Sequence, residues 1–152
     1  MKAFADKLIE ITERHAQEIS EQWCKDIKTN NRTPSYHTIP DEECVAHAEN
    51  FFKNLSRVYF SQRPSRDLYE YFTQYAADRY NDGIPCPEAI YALFMMRTHM
   101  WEYADSQAIF VTPMDNLKAI EALTRTNRIF ELGVFFVAQK YDTLRKRDGV
   151  LY

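Results

Sequence analysis

"GIPCPEAIYALFMMRTHMWEY", Gly83–Tyr103, decides the fold of this 152-residue chain. A glycine and two prolines crowd its start, and neither residue type recurs before Tyr103. Pro87 followed by Glu88 suits a first helical turn, where amides lack intrahelical partners and the dipole favours negative charge. Ala89, Leu93, Met96, Met100 and Tyr103 then recur at steps of three and four. Ile90, Phe94, Arg97 and Trp101 mark an adjacent face. A helix that is apolar on two faces is a central one, covered from both sides. Asp82-Gly83 ahead of it ends another helix, glycine being the usual left-handed C-terminal cap.

Working outward, the preceding segment "SRDLYEYFTQYAADRY" places Leu68, Phe72, Tyr75 and Arg79 on one helical face, with Ser65 as its expected cap. Before it, "PDEECVAHAENFFKNLSRVYF" opens with Pro40 and three acids, a helix-start pattern. It carries an apolar stripe of Val45, Ala48, Phe52, Leu55 and Tyr59. The N-terminal stretch reads as one helix through Phe4, Leu8, Ile11, His15, Ile19, Trp23 and Ile27. "TNNRTPSYHTIP" is the loop between these two helices.

On the other side, "SQAIFVTPM" is a loop with Thr112 as a cap, and it holds the sole strand candidate, "QAIFVTP". Met114 to Arg147 reads as one long helix. Ile120, Leu123, Asn127, Phe130, Val134, Val137, Tyr141 and Leu144 form a heptad seam with Asn127 as its polar interruption. Gly133 within it weakens the helix by about 1 kcal/mol and marks a close helix approach. The expected architecture is all-α: residues 1–152 as a single-domain bundle of about five helices with a long C-terminal helix.

Composition agrees. At 45% apolar and 27% charged residues the chain has the balance of a globular domain, and only three glycines disfavour a turn-rich sheet protein. A net charge of −3 gives no general attraction for nucleic acid or an anionic membrane. The basic run of Lys140, Arg145, Lys146 and Arg147 suits the end of a helix, where cations complement the dipole. No stretch approaches the roughly 18 apolar residues of a membrane span. Cys24, Cys44 and Cys86 are odd in number and unpaired in sequence, as expected for reduced thiols in a cytoplasmic protein.

Catalytic signatures are absent. GxxxxGKS, GxGxxG and GxSxG do not occur. Cys44 and His47 have the spacing of two zinc ligands, but two do not close a structural site. Cys86 after Pro85 sits at a helix start, a position that lowers thiol pKa values, but the sequence names no partner base. No enzyme activity, metal or cofactor is expected. Arg79 and Arg97 lie among apolar residues and require partners: interhelical ion pairs in the simpler reading, an anionic ligand in the sharper one. His15 and His99 are the residues able to ligate a haem. Aromatics make up 14% of the chain, and tyrosines gather in the third and fourth helices. Most of these belong to core, although a flat ring with a polar tip also suits a pocket or a partner surface.

The pattern of Trp23 in "EISEQWCKDI", then Tyr75, Ala76, Arg79, Gly83, Ile84, Pro85, Glu88, Arg97 and Trp101, resembles the N-terminal domain of the RsbT co-antagonist proteins of bacterial stressosomes, in the RsbRD-type branch. The likeness runs from about Leu8 to Tyr141. It implies a globin-like sensory or regulatory domain without haem, one that dimerises through helices and passes a signal to a partner protein along its C-terminal helix. The candidate ligand-binding residues are Arg97, His99, Trp101, Arg79 and Tyr75. Such domains usually precede an output module, and here the chain given stops after the long helix. The alternative is a globin-like protein that binds haem or a small ligand through His99 or His15.

Overall fold

The computed structural model describes residues 5–107 and 113–150. Among the described residues six α-helices form the bundle: α1 (Ala5–Arg14), α2 (Ala16–Ile27), α3 (Asp41–Tyr59), α4 (Pro64–Asn81), α5 (Cys86–Ser106) and α6 (Pro113–Arg147), with a 3-10 turn at Pro34–Tyr36 between α2 and α3. No strand forms among the described residues. The strand candidate and the Thr112 cap fall at 108–112, outside them, and so does Phe4.

The first helix of the sequence reading is two. It breaks at His15, whose backbone sits at φ −110° and ψ 25°. Nothing like Pro or Gly marks the spot. One turn earlier, however, the buried Thr12 hydroxyl donates to the Leu8 carbonyl at 2.7 Å. Such a back-bond competes with the helical ladder and bends it. The break re-aims the inward face, so Leu8, Ile9 and Thr12 pack from α1 while Ala16, Ile19, Trp23 and Ile27 pack from α2.

Helix α5 is the axis of the core. Ala89, Leu93, Met96, Met100 and Tyr103 are all buried, and so are Ala92, Met95 and Ala104 on a further face. Three neighbouring helices fasten its N-terminal half and the turn before it by donating to backbone carbonyls. Trp23 Nε1 of α2 reaches Ala92 O at 3.0 Å, and the Tyr75 hydroxyl of α4 reaches Ala89 O at 3.1 Å. The Tyr141 hydroxyl of α6 reaches Ile84 O at 2.8 Å. The buried Glu88 carboxylate accepts from the Ser35 amide and hydroxyl, each at 2.8 Å, which pins the 3-10 turn to α5. A buried carboxylate persists where donors meet it in this way.

The entry turn to α5 has the expected form. Gly83 lies at φ 77°; its amide bonds to Tyr80 O at 3.0 Å, and that of Ile84 to Arg79 O at 3.0 Å. The two bonds close a Schellman motif on α4. At the other end of α4, Ser65 is not the cap. The helix starts at Pro64, and the Ser61 hydroxyl instead accepts from the Arg63 amide at 2.9 Å and donates to Asp67.

Helix α6 corrects the heptad reading. Its inward residues are Ala122, Thr126, Phe130, Val137, Tyr141 and Leu144, with Gly133 between them. Ile120 and Leu123 face outward, at 61% and 40% exposure. Gly133 does mark a close approach: a Cβ there would stand 2.6 Å from the buried Phe72 ring of α4. The basic end of α6 is locally paired, Lys146 with Asp142 at 3.0 Å and Arg147 with Asp148 at 2.8 Å. No described helix is long and apolar enough to cross a membrane.

Candidate functional site

Two of the five site residues marked by the sequence come together. Tyr75 and Arg79 sit one turn apart on α4, with the guanidinium carbon 5.5 Å from the Tyr75 ring centroid. They line a polar cleft of about 280 Å³ between α3 and α4, shared with His47, Asn50 and Asn54 of α3 and with Tyr71, Gln74 and Asp78 of α4. The spacing explains the grouping. His47, Asn50 and Asn54 recur at steps of three and four, as do Tyr71, Gln74/Tyr75 and Asp78/Arg79, so each set is one helical stripe.

Arg79 is 7% exposed, and its guanidinium is held by Asp82, Nη2 at 3.0 Å and Nε at 3.3 Å. This pair lies within the end of α4 and does not cross between helices as expected. It presents a fixed, desolvated cation to the cleft. Behind it, burial pushes the Tyr75 phenol up to about 12 and drives that of Tyr36 well above its ordinary range. Both phenols are therefore neutral at any ordinary pH, and Tyr75 acts as a donor to Ala89. The Tyr36 hydroxyl, 2% exposed as a residue, lies against Tyr75 outside normal hydrogen-bond geometry.

His47 is lowered from its ordinary value of 6.5, chiefly by burial and next by the Arg79 charge; Asp82 and Glu43 oppose the shift. Its imidazole is thus biased to the neutral form, a donor and an acceptor beside a permanent cation. The cleft accordingly offers one charged donor, one imidazole, three carboxamides, two phenols and the Asp78 carboxylate, which accepts from Gln74 Nε2 at 2.9 Å. That set fits a small polar molecule with a carboxylate. A larger groove of about 670 Å³ runs between α2 and α3, but charged side chains on its walls pair with each other, Lys28 with Asp41.

The other three site residues lie elsewhere. His99 Nε2 stands 2.8 Å from Asp26 Oδ2, which ties α5 to α2, and its other nitrogen is 3.8 Å from Glu102. His15 stacks on Tyr103 at 5.1 Å and lies 3.6 Å from Glu18. Neither histidine lines the cleft. Among the described residues Arg97 has no ion-pair partner, unlike the expectation: it stacks on Phe94 and Phe130, at 4.9 and 5.6 Å, and reaches Asn127 Oδ1 at 3.5 Å. Trp101 is half-buried against the core. Cys44 and His47 also separate. Cys44 is buried next to Cys24 of α2, whereas His47 faces the cleft. Burial raises the Cys86 thiol, so the helix start does not activate it.

Sequence reasoning missed the α3 wall. Asn50 and Asn54 are polar residues on a helix whose opposite face is strongly apolar, and only packing distinguishes a cleft-lining polar stripe from a solvated one. No known family, no curated protein and no solved structure matches the chain.

Proposed function

We propose that this chain is a non-catalytic helical sensor or regulatory domain of a bacterial signalling system, of the stressosome-like, globin-like kind its sequence pattern resembles. In this reading it takes a small carboxylate-bearing ligand in the α3–α4 cleft and works in the cytoplasm as a homodimer that contacts a signalling partner through its helices. One observation carries the reading: α4 serves two surfaces. Tyr75 and Arg79 line the cleft, while Phe72, one turn away, packs into α6 at Gly133. A packed interface of this tightness has discrete arrangements and does not deform smoothly. A ligand that draws on Arg79 therefore biases how α4 seats on α6, the longest helix of the bundle.

The test is two-dimensional NMR of labelled protein titrated with small mono- and dicarboxylic acids. At least one acid is expected to shift the resonances of His47 and Arg79, and with them those of α6 around Gly133. A response confined to the cleft, with α6 silent, removes the signalling part. A panel with no response at His47 or Arg79 removes the ligand.

A further inference from the structure

The outer face of α6 carries an arrangement of side chains that complements itself. Met114, Leu117, Leu132 and Phe135 are 63%, 62%, 45% and 59% exposed, on a helix side opposite to the buried Phe130, Val137 and Tyr141. Single exposed apolar residues are ordinary, but four large ones aligned on one stripe are not. Between the two apolar pairs stand Glu121 and Arg128, both exposed and neither engaged in a hydrogen bond or ion pair within the described residues. Read from either end the stripe has the same spacing: apolar, apolar, charge, then charge, apolar, apolar.

We propose that this face pairs with the same face of a second copy of the chain, antiparallel, about a two-fold axis between Thr124 and Arg125. That register sets Met114 opposite Phe135, Leu117 opposite Leu132 and Glu121 opposite Arg128, each twice. An isologous contact demands that residue i meet j while j meets i, and the stripe satisfies this for both apolar and charged positions. A parallel pairing would place Glu121 on Glu121 and Arg128 on Arg128, a like-charge arrangement that costs binding energy. The strip is about 31 Å long at 1.5 Å per residue.

A second feature fits the same occupant. Beside Leu132 a groove of about 390 Å³ opens between α6 and the α3–α4 corner, floored by Val58, Leu68 and Ile129. In the antiparallel register the partner's Leu117 lies beside it, opposite Leu132. Leu117 is 62% exposed in the single chain, so the pairing supplies burial that this helix lacks alone.

The inference rests on the homodimer in the proposed function and is independent of the cleft. Its test is sedimentation equilibrium of the wild type and three charge variants, with circular dichroism as a control for folding. The wild type is expected to be a dimer. Glu121→Arg and Arg128→Glu each create two like-charge pairs and are expected to weaken the dimer on the order of 10-fold or more. The double variant E121R/R128E restores opposite charges and is expected to return near the wild-type affinity. A wild type monomeric up to roughly 100 µM, weaker than any stable interface, overturns both the pairing and the homodimer. A dimeric wild type in which the double variant is as weak as the two losses added together overturns this register and leaves the homodimer standing.

Discussion

Gly133 shows how one atom decides the seating of two helices. Its hydrogen lies where the Phe72 ring passes, and a Cβ there would meet three ring carbons at 2.6–2.7 Å. In an isolated helix Gly→Ala would gain about 1 kcal/mol. Here the ring is 2% exposed and has no room to withdraw, so overpacking wins. Gly133→Ala is expected to destabilise the fold by about 1–3 kcal/mol in urea unfolding, and Phe72→Leu in the same chain should recover part of that loss. Equal or greater stability for the alanine variant would mean that α4 and α6 are not seated as described. The approach was readable from sequence, because a lone glycine inside a long apolar seam has few other reasons to be there. Its partner was not, since periodicity names faces and not which faces meet.

His47 carries a consequence for pH. Burial and the Arg79 cation hold its folded value below 6.5, with Asp82 and Glu43 opposing and Asp78 on the same cleft wall. The unfolded chain therefore takes up the proton first as pH falls. Below about pH 6.5 the unfolded state binds more protons than the folded one, so stability drops until the folded imidazole also titrates. His47→Gln is expected to flatten the stability–pH profile in that window and to leave it unchanged above pH 7. An identical slope in the variant would assign the acid loss to other groups.

At the scale of elements, α5 was the most legible and α1 and α6 the least. The buried faces of α5 follow from its sequence because between Ala89 and Trp101 its only Asp, Glu, Lys, Arg or His positions are Arg97 and His99, and each of these meets a partner at the helix edge: Asn127 for Arg97, Asp26 for His99. Helix α6 misled because two apolar stripes run along it. Phe130, Val137, Tyr141 and Leu144 form the inward one, and the heptad reading extended it through Leu123 and Ile120, which belong to the outward side. The period of a helix is the same whether its own chain or a second chain covers the face. The α1–α2 break was invisible for a different reason. It comes from a Thr12 hydroxyl that bonds within its own helix, a choice that threonine makes in some helices and not in others.

For the molecule as a whole, the core is a single cluster in which the ends of α6 participate unequally. From Phe130 to Leu144 the helix contributes Phe130, Val137, Tyr141 and Leu144, and Tyr141 also holds the entry turn of α5. From Met114 to Thr126, among the residues whose burial is described, only Ala122 and Thr126 are buried, both small. Local opening energies follow buried contact, so the two halves of one continuous helix belong to different stability classes. In the charge variant Glu121→Arg, where the outer face is uncovered, hydrogen exchange at amides near Leu117 and Ile120 is expected to be far faster than at Val137–Leu144, whose exchange approaches the global unfolding limit. In the wild type at high concentration the N-terminal half should slow, because a second copy then covers it and opening must first break the pair. Uniform protection along α6 in the variant would mean that its N-terminal half is held by its own chain. In that case the exposed leucines and methionine would not need a partner.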